Sequence, residues 1–599
     1  MALFGDADPG SVAATAGYES PIQFHYDWKS FQEKSRLITS AGADFTPLPW
    51  LKLNGAAGLE RIARQDRQRI PRISSYEVFG GIYTRGWIQN LDYNIYNVNT
   101  NASASAVFDL TPTLVSTTTL GSQYLQENSQ FVYAFGASLA PGLEESLAGA
   151  TTDFQSSESN AVNATLSSYA QQQLAWRDRV FINGALRGDQ NTAFGTDIGW
   201  IWYPSVSGSW VVSEEDFFPA SDVLSELRLR GAFGQAGLRP GATDALLQFD
   251  ADIASFQNLD VPALTIEELG NLALEPERST EWELGFEAGL LGGRFGLETT
   301  YYHKTSRDAL VQRPLPYSPG GPTFQWDNLG EVRNSGVELL LGGEPVRTDN
   351  LSWSFHLSGS FNDNELVELG EDAFGNPIPP IGSGAQRFVE GYPLGGWWAY
   401  PIQGFDDADG DGLINFDEVE VGVFDEDGEL DADSVAFMGE ALPTRELSFG
   451  TDVTLFRMFR LYGLLDYKGG HDKLNYTRAW RCTFELNCAA AFDPNTSLAD
   501  QAAVMALFAH NTYAGFIEDA SFLKLREIAL TFMVPPSWAR VFRSDGLQLT
   551  VAGRNLATWT DYRGLDPEVT FSSAANFTSG DFATLPPNRM FTLRVDASF

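Results

Sequence analysis

Basic residues are scarce in this sequence. Against 78 Asp and Glu stand only 39 Lys and Arg, for a formal net charge of -39. A partner gripped through its phosphates needs a surplus of Lys and Arg, so nucleic acid is excluded. Histidine is thin as well: His25, His303, His356, His471 and His510 are scattered, and none forms an HExxH pair. A P-loop and a G-x-S-x-G elbow are also missing. Adjacent acids such as Glu214 and Glu215 read as strand-end charges rather than a glycosidase pair, and the chain is not expected to be an enzyme. No run of about 18 apolar residues occurs, which excludes a transmembrane helix. It does not exclude transmembrane strands, which show lipid only every second residue. The first twenty residues, MALFGDADPGSVAATAGYES, have neither a basic nor an apolar export segment. The sequence holds just two cysteines, Cys482 and Cys488, in RCTFELNC. Five intervening residues fit neither a zinc site nor a CxxC redox pair. The spacing leaves a small disulfide staple in an oxidising compartment, worth about 2 kcal/mol, or two unpaired loop thiols.

What is abundant points the other way. Aromatics reach 13%, with 42 Phe and 15 Trp, beside 57 Gly; such a mixture suits many strands joined by turns. Period-two alternation recurs along most of the chain. In the clearest ladder, Leu351, Trp353, Phe355, Leu357, Gly359 and Phe361 alternate with Ser352, Ser354, His356, Ser358 and Ser360. Trp282 to Leu290 and Phe295 to Tyr301 form two more ladders, joined by a Leu-Gly-Gly-Arg turn that predicts a hairpin. Tight connections alternate with long polar ones at 240–277, 364–387 and 471–515. That asymmetry predicts an all-β, antiparallel transmembrane barrel with short periplasmic turns and long extracellular loops, containing roughly 16 strands. The last segment, NRMFTLRVDASF, puts Phe591, Leu593, Val595, Ala597 and Phe599 on one face. A terminal amphipathic strand ending in Phe resembles the signal read by the bacterial barrel-assembly machinery. An open edge there would be a liability in a soluble protein.

Several segments resemble SusC/RagA-type TonB-dependent receptors, in that family's order. LGNLALEPERSTEWELGFEAGLLGGRFGLETTYYHKTSRDAL (269–310) is similar to the mid-barrel hairpin, and NLGEVRNSGVELLLGG (328–343) to the strand that follows it. FIEDASFLKLREIALTFMVPPSW (516–538) and LQLTVAGRNLATWTDYRGLDPEV (547–569) resemble the family's late strands, and YPSVSGSWVVSEEDFF (203–218) with LRLRGAFGQAGLRP (227–240) its earlier ones. The resemblance implies a 22-stranded outer-membrane barrel with a plug, energised by TonB, importing oligosaccharide or peptide beside a SusD-like surface lipoprotein. Roughly 16 strands and no visible signal, TonB box or plug lead to the expectation of a partial barrel over 1–599, in which TonB acts only if a plug is restored. A non-transporting barrel or a passive pore is the alternative. Its expected surroundings are outer-membrane lipid.

One motif lies outside the strand rhythm. Asp407-Ala-Asp409-Gly-Asp411-Gly412-Leu413-Ile414-Asn415-Phe-Asp417-Glu418 satisfies D-x-[DN]-x-[DN]-G-x5-E. Asp407, Asp409, Asp411, the Leu413 carbonyl, Asn415 and Glu418 would supply hard oxygens to Ca²⁺, with Gly412 permitting the turn. Pro401 and Gly404 precede it, so an isolated loop within an acidic extracellular insertion (404–440) is expected rather than two flanking helices. A solvated acidic loop without metal is the alternative. Downstream, Asp425, Asp427, Asp431 and Asp433 fit no second loop. Trp397, Trp398 and Tyr400 suit either a sugar-stacking platform or a membrane-interface girdle, and the girdle reading is preferred; it also covers Trp282, Trp353 and Trp559.

Overall fold

The computed structural model describes residues 28–72, 85–195, 199–219, 221–256, 259–315, 324–371, 375–424, 430–431, 434–571, 573–574, 577–578 and 580–599. Among these, 17 strands form one continuous antiparallel sheet. They are β1 (Lys29–Leu48), β2 (Leu51–Ile70), β3 (Trp87–Thr111), β4 (Leu114–Ala137), β5 (Thr152–Trp176), β6 (Val180–Asn191), β7 (Ile201–Val211) and β8 (Leu224–Leu238). Then come β9 (Glu277–Leu290), β10 (Phe295–Arg307), β11 (Glu331–Arg347), β12 (Leu351–Glu368), β13 (Arg445–Leu455) and β14 (Phe459–Gly469). The last three are β15 (Phe522–Val534), β16 (Gly546–Thr560) and β17 (Met590–Ser598). Each strand pairs with its predecessor and its successor in sequence, so the sheet is an up-and-down meander. Among the described residues β1 pairs with β2 alone and β17 with β16 alone.

The meander has two different ends. One carries tight turns, as between β5 and β6, where Arg177 and Asp178 both take positive φ (52° and 54°). Two successive left-handed residues match the twist of a two-residue hairpin, and the Arg177 guanidinium lies 4.9 Å over the Trp176 ring. Phe456 and Arg457 repeat this geometry between β13 and β14. The other end carries the longest connections, among them 239–276, 369–444, 470–521 and 561–589.

Register fixes the two faces. Phe591, Leu593 and Val595 lie opposite Gly553, Val551 and Leu549 on one face of the last strand pair, and the three β17 side chains are open to the surroundings. Aromatic pairs mark the borders of this apolar face. Trp50 stacks on Phe108 at 5.2 Å and Phe459 on Phe532 at 5.1 Å near the turn end, whereas Trp282 meets Tyr301 at 5.3 Å toward the loop end. The opposite, concave face is polar: Glu298, Thr300, Glu338, Ser358, Glu446 and Asp466 line one lumen recess. Apolar-out and polar-in is the order demanded by lipid outside and water inside.

The long connections are more ordered than their irregular sequences suggest. The 239–276 connection is a two-stranded ribbon, Leu247–Phe256 paired with Leu259–Leu269. The 470–521 connection holds helices α1 (Tyr476–Thr483) and α2 (Leu498–His510). Ser497 caps α2 by accepting a bond from Asp500 N–H, and Asn511 ends it in the left-handed conformation. No helix among the described residues is long and apolar enough to cross a membrane.

The tryptophan pair Trp397–Trp398 is not a girdle. Both sit on a short strand, Gly396–Ala399, inside a four-stranded sheet built from the 369–444 connection. They are 2% and 9% exposed. Trp397 packs in the cluster with Ala479, Val504 and Phe516 and donates to the Asp472 carbonyl at 2.7 Å. The sequence pattern misleads because a loop large enough to have its own core buries aromatics as a membrane face displays them.

Candidate functional site

The loops at one end assemble into a dome over the lumen, and the dome is tied to the barrel wall by charge. On β15, Lys524 and Arg526 alternate onto the lumen side of a mostly apolar strand. Lys524 Nζ donates to Asp566 at 2.7 and 2.8 Å and to Glu568 at 2.6 Å. Arg526 bridges Glu568 and Asp466, the latter at 2.6 Å. Burial raises the Glu568 carboxyl, but the bonds from Arg526 and Lys524 outweigh it and hold it down to about 2. Lys473 Nζ adds a 2.6 Å bond to the Val569 carbonyl, and burial pushes that amine down to about 8. The last long connection is therefore pinned inside the mouth rather than left waving above it.

A second set joins the connections to each other. Asp581, fully buried, accepts from Thr477 Oγ1 at 2.8 Å and from the Tyr562 hydroxyl at 3.2 Å. Arg563 reaches Asp500 and Glu518, and Arg478 the same two acids. Buried charges persist only when paired and bonded in this way. None of this network was singled out in the sequence. The signal available was Lys524 and Arg526 at strand spacing in FLKLREIALTF, with acids waiting in DPE.

The acidic motif forms the tip of a hairpin between Ile402–Phe405 and Val419–Val421. Strands, not helices, flank it. Gly410 and Gly412 take φ of 75° and 85°, which a side chain would strain. Asp407 accepts from Gly410 N–H at 2.9 Å and Gly412 N–H at 3.0 Å. Glu418 folds back to accept from Ala408 and Asn415 N–H, both at 2.9 Å. These backbone donors, that of Asn415 foremost, hold its carboxyl below the usual range. Carboxylate oxygens of Asp407, Asp409 and Glu418 come within 4.8 Å of one another. Asp411 is not in that trio; its Oδ1 accepts from Leu413 N–H at 2.7 Å. The loop is docked rather than isolated. Ile414, 2% exposed, packs with Val419, Val421, Ala502 and Ala506, and buried Gln501 of α2 accepts from Ile414 N–H at 2.8 Å while donating to the Gly412 carbonyl at 3.0 Å. Asp425, Asp427 and Asp433 lie outside the described residues.

Cys482 and Cys488 are joined by a disulfide, with Cα atoms 5.0 Å apart. The bridge closes a small ring at the end of α1, and Cys482 is buried in the dome core.

A strand meander, polar within and apolar without, under a one-sided dome, invites comparison with known proteins. The family model described as TonB dependent receptor-like, beta-barrel matches residues 3–414. The chain belongs to this family. It is 25% identical over 531 residues to TonB-dependent receptor P3 of Formosa agariphila, covering 81% of this chain and 52% of that protein. To TonB-dependent receptor SusC of Bacteroides thetaiotaomicron it is 24% identical over 440 residues, covering 69% and 42%. The chain spans about half the length of the curated relatives it matches. The fold matches that in "Structure of the RagAB peptide transporter" with a TM-score of 0.79 at 20% identity, over 97% of this chain and 64% of that one. The family is one of outer-membrane receptors and transporters, and the outer membrane is where this chain resides.

Proposed function

We propose that the chain is the barrel and extracellular dome of a TonB-dependent nutrient receptor that takes up oligosaccharide or peptide. The observation that carries this reading is the pinned dome over a polar lumen in a chain of this family. A dome clamped to the inner wall by Lys524 and Arg526 holds binding loops in place at low entropic cost. Energy from TonB, a SusD-like surface lipoprotein over the dome and the barrel-assembly machinery acting on the β17 end are parts of the same proposal. No catalytic role is assigned. The test is uptake of labelled oligosaccharides and oligopeptides by cells with and without the gene. Loss of uptake on deletion, and on collapse of the proton-motive force, supports the reading; uptake that survives the uncoupler identifies a passive pore, and unchanged uptake on deletion sinks both.

A second proposal concerns the hairpin tip, which we read as a Ca²⁺ site. Convergence of Asp407, Asp409 and Glu418, with two glycines at the sharp turns, supports it. Asp411, the Leu413 carbonyl and Asn415 would complete an oxygen shell. The metal would knit the 404–440 insertion to α2 through Ile414 and Gln501. Calorimetry should show Ca²⁺ binding in the range of about 10⁻⁴ to 10⁻³ M typical of extracellular modules, lost in Glu418→Gln. No Ca²⁺ heat from the unmodified protein rules the site out.

A further inference from the structure

The link between β15 and β16 departs from the pattern of the turn end. Links 348–350 and 456–458 have three residues each, whereas eleven residues, 535–545, lie between Val534 and Gly546. They fold into a short helix, α3 (Pro536–Ala539), and a 3₁₀ turn, Arg540–Phe542, closed by Arg543 in the left-handed conformation. The Trp538 and Ala539 N–H groups both donate to the Pro535 carbonyl, at 2.9 and 3.0 Å. Ala539 is fully buried, and the buried Ser544 hydroxyl shares its proton between the Gly546 and Ser598 carbonyls at 2.6 and 2.7 Å. The segment is thus fixed against the end of the sheet.

What it exposes is apolar and basic. Trp538, Val541 and Phe542, at the i, i+3, i+4 spacing of one helical face, are 57%, 78% and 67% exposed. Arg540 and Arg543 beside them are exposed as well, and neither guanidinium has an ion-pair or hydrogen-bond partner among the described residues. The one acid of the segment, Asp545, lies past the left-handed residue, where its N–H donates to the Ser598 carbonyl at 2.7 Å. The apolar side continues the outer face of the barrel wall. Trp538 meets Phe532 at 6.4 Å, and Phe532 stacks on Phe459 at the turn-end border of that face.

We propose that 535–545 is a membrane foot: Trp538, Val541 and Phe542 lie in the headgroup zone of the leaflet at the turn end, and Arg540 and Arg543 bind the phosphates of anionic phospholipids there. Continuity with the outer apolar face selects a lipid surface over a soluble protein, because Trp538 already adjoins the wall that meets hydrocarbon. Aromatic rings suit that zone, and arginine stems lie along apolar surface while their guanidinium groups reach the polar layer. Short amphipathic segments hold to a bilayer by apolar area together with attraction to anionic lipid. The inference rests on the outer-membrane location and is independent of what the receptor carries.

The test uses the full chain reconstituted in vesicles, with Val541→Cys carrying an environment-sensitive NBD label; Cys482 and Cys488 are bonded to each other, so the new thiol is the one that reacts. Asp349→Cys, in a tight turn, is the control. In phosphatidylcholine vesicles containing phosphatidylglycerol, lipids with a nitroxide near the headgroup should quench the Val541 label more than lipids with a nitroxide deep in the chain. Aqueous iodide should quench it less than the control. Arg540→Gln and Arg543→Gln should each shift the label toward iodide about fivefold, and omitting phosphatidylglycerol should act in the same direction on the unsubstituted arginines. Iodide quenching equal to the control, insensitivity to the nitroxide lipids, or identical quenching with and without phosphatidylglycerol overturns the foot. Protection from iodide in native outer membranes but not in vesicles assigns the segment to a protein partner and overturns it equally. The lipid-composition comparison needs neither arginine variant, so a variant that fails to fold leaves the outcome decided.

Discussion

Glu568→Gln probes how the dome is held, because its carboxylate is the hinge of the clamp. It accepts from both Lys524 and Arg526 and sits only a quarter exposed. Its folded-state value of about 2 lies a little over two units below the ordinary glutamate value of about 4.3. At 1.36 kcal/mol per unit this is about 3 kcal/mol of stability. The sign follows from the depressed value: the contribution is fully present above about pH 4.3 and disappears as pH falls through about 2. Replacement by the neutral amide should therefore raise the local opening of 562–571 on the order of a hundredfold at pH 7. Hydrogen exchange of that segment reads the opening directly, and urea titrations at pH 7, 4.5 and 2.5 read the pH dependence. Wild type and variant should differ at pH 7, differ nearly as much at pH 4.5 and approach each other at pH 2.5. Equal exchange at pH 7, or a difference that persists undiminished at pH 2.5, would refute the clamp.

Other expectations follow from the same geometry. Leu593→Arg places a cation against lipid and should cost about 2–4 kcal/mol if near mid-membrane, whereas Thr592→Arg on the lumen face should be tolerated; folded yield in outer membranes discriminates the two. Gln501→Ala strips Ile414 N–H and the Gly412 carbonyl of their buried partner and should destabilise the hairpin tip by about 1–3 kcal/mol, seen as faster proteolysis within 402–421. Asp472 has its carboxyl pushed up to about 6, by burial first and by Asp519 second. Its charged form is disfavoured in the fold, so the penalty is present above about pH 6 and absent below the ordinary Asp value of about 3.9. Asp472→Asn should melt higher than wild type at pH 7.5 and lose that advantage by pH 4.

Much of the barrel was legible because lipid on one side and water on the other force a strict period of two. The Leu351 ladder, the Leu291–Arg294 turn and the β17 faces all emerge where the alternation puts them. About 16 strands were expected, and 17 lie in the main sheet of the described residues. The dome was less legible, since its core follows no single period. α2 is apolar on several sides, with Ala502, Ala503, Val504, Ala506 and Leu507 all buried, so it lacks the one-faced pattern that announces a surface helix. Trp397 and Trp398 shared composition with girdle residues but not their surroundings. The acidic motif could be read from spacing alone, yet its seat on Gln501 could not, because the two are 87 residues apart at the Ile414 contact.

The central claim is that this barrel sits in the outer membrane with its dome facing the medium. Single cysteines introduced at Asp409 and Leu442 in the dome, and at Asp349 and Arg543 at the turn end, test it directly with a membrane-impermeant maleimide. Labelling of the first two in intact cells, with the second two reacting only after the cells are opened, is the predicted result. Labelling of the turn-end pair in intact cells, or protection of the dome pair, would contradict it.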